Sequence, residues 1–331
     1  MDRILEYRVE DSDPEKTANG ILGKVLKHCM GLTPHEISHA KFIPNGITVL
    51  KKGDPDGMPV PVTVKDRVEP GDVVRVRFSE TGEDADSKVA ASKGDIWILY
   101  EDEDVVVLDK PAGVVSHPSH GHYRDSLANY LAGYYESKSV TVKLRTVGRL
   151  DKDTSGVILY AKNAPAASRL FRQKESGQFK KTYLAVVENP EQNIEKDGWN
   201  LIDLPIGPVP GTLMKQQIIS PPAGRNALTR YMFCAQRDDK ALILAEIETG
   251  RTHQIRVHMA STGHPLTGDK LYGEESVNND KACRTLLHAW KAEFRQPFSG
   301  EEIRITAPVP EDIRDYYGEN FWTDGPKVER R

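Results

Sequence analysis

Arg149-Leu150-Asp151-Lys152-Asp153-Thr154-Ser155-Gly156 runs directly into the apolar stretch Val157-Ile158-Leu159-Tyr160-Ala161. Asp and Ser bond nearby backbone and Gly admits a positive φ, so the first part reads as a turn. The second part is a short apolar run rich in β-branched and aromatic residues, which reads as a strand. The junction therefore carries a carboxylate, Asp151, at the mouth of a strand. Ordinary turn chemistry accounts for the same residues when they are taken alone.

The surroundings add charge. From Lys143 to Lys181 there are ten Lys or Arg against three acids, although the whole chain of 331 residues has a net charge of −4. A local cationic segment of this kind suits a polyanionic ligand better than the overall balance suggests.

Working outward, the order of elements reads as α+β. Upstream lie two β-rich runs, Ile96 to Tyr100 and Val105 to Leu108, and a helix around Ser126 to Tyr135, where Leu127, Tyr130, Leu131 and Tyr134 fall at i, i+3, i+4 and i+7. Downstream, a helix from Ala164 to Lys174 capped by Asn163 precedes an alternating strand from Lys181 to Val187. Glu188 to Gly224 is rich in Pro and Gly and is expected to be a long surface excursion before strands resume at Ala227.

Nearer the N-terminus, residues 14 to 78 form a compact module. A helical pattern runs through Ile21, Val25 and Leu26, a turn falls at Gly31, a short helix follows Pro34, and Pro70-Gly71-Asp72 leads into the alternating strand Val73 to Phe78. The expected division is a small N-terminal α/β module over 1–78, a polar linker over 79–94, the main domain over 95–317 and a frayed tail over 318–331. At this length, one large domain with a smaller one is the natural arrangement.

Composition narrows the class. Hydrophobic content of 38% and charged content of 28% are those of a globular protein, and the apolar runs are too short to span a bilayer. No membrane association is expected. The opening Met-Asp-Arg-Ile-Leu-Glu-Tyr has no apolar stretch of the secretory kind, so a cytoplasmic location is expected. Cys29, Cys234 and Cys283 are far apart and read as buried thiols.

Four further segments could carry chemistry. Leu108-Asp109-Lys110-Pro111-Ala112-Gly113 takes a strand into a Pro/Gly turn and reads as structural. In Lys181-Thr182-Tyr183-Leu184-Ala185, Tyr183 and Ala185 share a face; a lone strand tyrosine is more often core than catalyst. Thr249-Gly250-Arg251-Thr252-His253-Gln254-Ile255-Arg256-Val257-His258 is too polar to serve packing, and at a helix start its amides and arginines would make an anion site, with Arg256 able to pair with a carboxylate such as Asp151. His253, His258 and His264 lack zinc-ligand spacing, so no metal is expected. Gly263-His264-Pro265-Leu266, Gly268-Asp269-Lys270-Leu271-Tyr272-Gly273 and Leu287-His288-Ala289 read as a tightly routed loop with structural duty.

Together these motifs resemble one family. Arg-Leu-Asp-x-x-Thr-Ser-Gly, Lys-x-Tyr-x-Ala, Gly-Arg-Thr-His-Gln-Ile-Arg, Gly-His-Pro-Leu-x-Gly-Asp and Leu-His-Ala stand here in the order of the RluA-type pseudouridine synthases, over about Ile96 to Pro308. Gly148 departs from the family, many members of which have His before Arg-Leu-Asp. Residues 14 to 78 are weakly similar to the small alpha-L RNA-binding domain, departing from it at Ala18-Asn19-Gly20 and His35-Glu36.

The resemblance implies a mixed, mostly antiparallel central sheet with flanking helices. It implies an isomerase that breaks the uridine C1′–N1 bond, turns the base and joins C1′ to C5, with no cofactor. Asp151 would act at C1′, Arg256 would hold it charged and oriented, and Tyr183 would lie against the uracil and help remove the C5 proton, a role that needs a depressed phenol pKa or a transient base. Arg149, two residues before Asp151, would fill the gap left by a flipped base or grip its phosphate. Lys181, Arg251, Thr252, His253 and Gln254 would add RNA contacts.

The expected partner is RNA, ribosomal before transfer RNA, with a monomer as the default and no obligate protein partner. Two other classes stay open from sequence. One is an N-glycoside hydrolase using Asp151 and Asp153 as paired carboxylates, which the basic surroundings disfavour because a general acid needs a raised pKa. The other is a non-catalytic RNA-binding or ribosome-assembly factor, which would leave the joint presence of Asp151, Tyr183 and Arg256 unexplained.

Overall fold

The computed structural model describes residues 3–13, 17, 19–53, 57–79, 89–190, 197–273 and 282–317. Residues 80–88 of the expected linker and the whole expected tail lie outside them. The chain forms two compact units, one within Met1–Lys88 together with Val140–Lys143, the other comprising the rest.

The smaller unit holds four antiparallel strands, β1 (Arg3–Arg8), β2 (Ile47–Leu50), β3 (Val60–Pro61) and β4 (Val73–Phe78), in the order β1-β4-β2-β3. Two helices, α1 (Leu22–His28) and α2 (Pro34–Phe42), accompany them. Thr33 and Glu36 close a reciprocal cap at the start of α2, with Pro34 in its first turn. The Pro70-Gly71-Asp72 turn is fixed by Asp72, which accepts from the Lys51 ammonium at 2.8 Å and from the Lys52 and Glu69 amides at 3.0 Å. β1 was not expected, because charged residues break its alternation, yet it pairs along its whole length with β4.

The larger unit contains β5 (Trp97–Glu101), β6 (Val105–Lys110), β7 (Arg145–Val147), β8 (Ser155–Ala161), β9 (Lys180–Glu188), β10 (Trp199–Asp203), β11 (Ile206–Pro208), β12 (Gln216–Ile218), β13 (Leu228–Arg237), β14 (Lys240–Ile247), β15 (Leu287–Arg295) and β16 (Glu302–Thr306). Its helices are α3 (Leu127–Ser137), α4 (Ala164–Glu175), α5 (Gln254–Ser261) and α6 (Glu311–Tyr317). One large sheet follows the order β10-β13-β14-β9-β15-β8-β6-β5, with β16 on β15 and β7 on β8. All of its pairings are antiparallel except β8 beside β15. The α+β class with a mixed, mostly antiparallel sheet and flanking helices is thus the observed one.

Apolar clusters pack against the sheet. Val157 and Leu159 of β8 pack with Val105, Val107, Phe294 and Leu170 of α4, whose N-cap Asn163 accepts from the Ala166 amide. Leu184, Leu242, Leu244 and Trp290 pack with Ile313 of α6. Each such large side chain contributes roughly 1.5–3 kcal/mol on burial.

The site is positioned by β8. All seven of its residues are buried. Along one edge it pairs with β6; along the other it meets β15 in parallel for two residues, Ser155 and Gly156, and then β7 from Leu159 to Ala161. Facing residues in a sheet share a face. The register therefore aligns Lys110, Gly156, Ala289, Tyr183, Ala245 and Tyr231 in one row across β6, β8, β15, β9, β14 and β13. Small residues on both sides of Tyr183 leave room above the row.

Two expectations need correction. Glu188 to Gly224 is not a bare excursion: β10 pairs with the edge of β13, and β11 and β12 form a hairpin. Pro205 precedes β11 and Pro208 ends it, where a missing N–H is tolerated; residues 191–196 of the stretch lie outside the described residues. The cysteines are not uniformly buried either. Cys29 and Cys234 are half-buried and Cys283 is exposed; Cys283, in a connecting loop, has no packing face to retreat to. Among the described residues no helix is long and apolar enough to cross a membrane.

Gly156 has φ 103°, and a Cβ there would lie 2.2 Å from the Ala289 carbonyl oxygen. Replacing it strains the backbone and pushes β8 from β15 at once. Gly156→Ala is expected to lose roughly 2–4 kcal/mol of stability, read as a lower denaturant midpoint.

Candidate active site

Asp151 sits in the turn that enters β8, and three anchors hold that turn. The Thr154 amide donates to the Asp151 carbonyl at 3.2 Å. The Ser116 hydroxyl donates to the Leu150 carbonyl at 2.8 Å and accepts from the Leu150 amide at 3.1 Å. Beneath the turn lies the fully buried Lys110, whose ammonium donates to the carbonyls of Pro111 at 2.9 Å, Val114 at 2.7 Å and Lys152 at 2.9 Å. Its three donors thus meet three acceptors. Burial drives this amine down to about 7, against the pull of Asp151 and Asp153. The Gly113 amide also donates to the Lys152 carbonyl, at 2.9 Å.

Behind the turn, the Ser155 hydroxyl and His288 Nδ1 lie 2.9 Å apart, tying the start of β8 to β15. Burial holds the His288 imidazole down to about 4, so it is neutral.

The opposite wall is built around Asp269, whose side chain is fully buried. It accepts from Arg256 Nε and Nη2, both at 2.7 Å, and from the amides of Leu271 at 3.0 Å and Tyr272 at 3.2 Å. This bidentate grip leaves Nη1 of Arg256, which lies 3.7 Å from Asp151 Oδ2. The Arg256 guanidinium also stands 5.2 Å from the centre of the Tyr272 ring. Tyr272 in turn lies 2.9 Å through its hydroxyl from His253 Nδ1 and accepts from the Gln216 amide at 2.9 Å.

All nine side chains singled out from the sequence line one cleft of about 650 Å³. Asp151 is exposed to it with 28% of its side-chain surface. Seven cationic and four acidic side chains line it. Arg149 is exposed at the cleft, and Arg251 donates through Nε to the Asn226 carbonyl at 3.0 Å, leaving the rest of its fork open.

Several expected roles change with this geometry. Gln254 is buried and fully committed: it accepts from the Thr249 hydroxyl and the Arg251 amide and donates to the Leu228 carbonyl and Thr229 hydroxyl. It is a staple closing the loop onto β13, not an RNA contact. His253 is buried in the left-handed region at φ 55° as the N-cap of α5; burial holds its imidazole below its usual value, so its 4.0 Å approach to Asp151 is that of a neutral ring. The Lys181 ammonium donates to the Val157 carbonyl at 2.9 Å and is pushed down to about 7 by burial and by Lys174, which makes it a tether between β9 and β8. Thr252 remains half-buried in the cleft wall.

Tyr183 is buried, and its burial, followed by the nearby Asp151 carboxylate, pushes the phenol well above its ordinary range. A depressed pKa, which a resting phenolate base needs, is therefore not built into the site. Asp153 is exposed and does not line the cleft, so the paired-carboxylate arrangement of a hydrolase is not formed. His258 is taken up by Thr229 and the Leu204 carbonyl, and His264 faces the Glu188 carbonyl.

The profile described as RNA pseudouridylate synthase matches residues 104–261, a span that contains Asp151, Tyr183 and Arg256. The protein named uncharacterized RNA pseudouridine synthase YjbO, of Bacillus subtilis, is 37% identical over 252 residues, covering 76% of this chain and 85% of that one. The chain belongs to the RNA pseudouridine synthase family, and within it to the RluA type.

Members of this family are isomerases. A second relative, named ribosomal large subunit pseudouridine synthase D, of Nitrosomonas europaea, is 36% identical over 257 residues, 76% of this chain and 72% of that one. Among solved structures, human RNA pseudouridylate synthase domain containing 1 superposes with a TM-score of 0.52 at 26% identity, covering 66% of this chain and 86% of that one. The fold is thus shared with a pseudouridylate synthase over about two thirds of the chain.

Sequence reading missed two groups that shape the site, Lys110 and Asp269. Both stood in motifs read as structural, and the available signal was a charged residue at the end of an otherwise apolar strand or directly after a turn glycine. Lys110→Met would leave the carbonyls of Pro111 and Val114 without their donor, while that of Lys152 keeps the Gly113 amide, at about 1–3 kcal/mol for each carbonyl left unpaired before relaxation. A loss of at least about 2 kcal/mol in equilibrium unfolding is expected, and retention of wild-type stability would contradict the role given to this ammonium.

Proposed function

We propose that this pseudouridine synthase isomerises uridines in structured RNA, ribosomal RNA of the large subunit first, with Asp151 as the group that reacts at the sugar. The observation that carries this reading is the Asp151 carboxylate, open to the cleft and flanked by Arg256 Nη1 at 3.7 Å. A carboxylate held among cations attacks or stabilises an electron-poor C1′ as the C1′–N1 bond breaks. The base then turns, C1′ bonds to C5, the C5 proton leaves, and N1 gains a proton. No atom is added and no electron is transferred to a cofactor.

The remaining groups take roles their surroundings support. Arg256, fixed from behind, steadies the carboxylate. Tyr183, neutral and framed by Ala245 and Ala289, provides an aromatic surface for the uracil. Arg149, exposed beside Asp151, fills the place of the departed base or holds its phosphate, offsetting the few kcal/mol that unstacking costs. The smaller N-terminal unit serves as an accessory RNA-binding module, and the protein acts in the cytoplasm. The preference for large-subunit ribosomal RNA rests on the name of the Nitrosomonas relative.

Two measurements test this. Asp151→Ala should lower pseudouridine formation at least about a thousandfold while RNA affinity stays within a few fold; retained activity would overturn the role of Asp151. Mapping pseudouridines in total RNA with and without the protein should reveal a site lost from large-subunit ribosomal RNA. Loss confined to transfer RNA would overturn the substrate assignment and leave the chemistry standing.

A further inference from the structure

Lys174 was not among the residues expected to act, yet its place in the cleft is unusual. It lies in the last turn of α4, where the helix dipole favours a cation. Its side chain does not run out into solvent. The ammonium lies 3.5 Å from the position a Cβ would take on Gly148 and 3.0 Å from that on Gly250. It therefore sits between the segment that leads to Asp151 and the loop that leads to α5, in a gap that side chains at 148 or 250 would crowd.

Among the described residues the Lys174 ammonium has no hydrogen-bond or ion-pair partner, and Glu175 and Glu248, which line the same cleft, do not pair with it. Its charged neighbours are cations: Arg251 is close enough to depress its pKa, burial being the larger cause, and Lys174 depresses that of Lys181. Arg149, next to Gly148, likewise has no side-chain partner among the described residues. A half-buried ammonium beside further cations, with no counter-charge, is costly unless a ligand brings the charge.

We infer that Lys174, seated between Gly148 and Gly250 and backed by Arg251, forms a subsite for one phosphodiester of the RNA beside the nucleotide held at Asp151. This inference rests on the proposed RNA chemistry of the cleft. The glycines give a phosphate oxygen room to reach the ammonium, and Arg251 has nitrogens left to bond a second oxygen. A phosphate here would hold the backbone in register while carrying no base preference.

The test is the salt dependence of RNA binding by the full chain, measured with a structured RNA that it modifies, for wild type, Lys174→Met and Lys174→Arg. Losing one phosphate contact lowers the slope of log affinity against log salt by about 0.7–0.9. Lys174→Met should show this decrease, with affinity weaker by roughly threefold to tenfold near 0.1 M salt, while turnover at saturating RNA stays near wild type and Lys174→Arg restores the slope. Removing an uncompensated half-buried charge should also leave the thermal midpoint of Lys174→Met equal to or above that of wild type.

An unchanged slope in Lys174→Met would overturn the subsite, as would a lower thermal midpoint with unchanged affinity, which marks a structural lysine. The functional reading fails separately. Absence of pseudouridine formation by the wild-type chain would sink that reading through product analysis, whereas the slope comparison reports on Lys174 from binding alone.

Discussion

One buried carboxylate, Asp269, sets the cationic side of the cleft. Its four accepted hydrogen bonds fix the Arg256 guanidinium and the backbone of Leu271 and Tyr272 together. Through Tyr272 the constraint reaches His253, and through Arg256 it reaches Asp151. A buried ion pair of this kind is weak evidence for net stability, because desolvation offsets most of the attraction. Its value is orientation. With Nε and Nη2 engaged from behind, the guanidinium has one nitrogen left to face the open carboxylate.

The other wall depends on a different kind of constraint. Lys110, Ser116 and Gly113 secure the backbone of the Asp151 turn from below, and the close approach of Gly156 to Ala289 fixes the strand that follows. The row from Lys110 to Tyr231 then places a neutral tyrosine between two alanines on the same sheet. A fixed acid, a fixed cation and an aromatic surface are thus held on separate strands and loops.

Much of this was legible in the sequence for physical reasons. The period-two runs and capped helices gave β5, β6, α3, β8, α4 and β9 in order, and dense motifs drew attention to the residues that meet in the cleft. What could not be read was which partner each polar group chooses. Arg256 was expected to pair with Asp151, yet its tighter bonds go to Asp269, in a segment that looked like loop routing. Gln254 and Lys181 carried the residue types of RNA contacts and are spent on backbone carbonyls. Tertiary neighbours decide such choices, and one-dimensional spacing does not encode them. β10 to β12 were hidden for a related reason, since strands at an edge are short and tolerate the prolines that argue against strand.

If Arg256 steadies Asp151 during the reaction, Asp269 acts on that reaction only through Arg256. A double-mutant cycle with Asp269→Asn and Arg256→Lys, read as single-turnover release of tritium from RNA labelled at uridine C5, measures this most directly. The two changes should be strongly non-additive, with the double variant no slower than the slower single. Rate losses that multiply would contradict the account, because each residue would then act on the substrate by its own route.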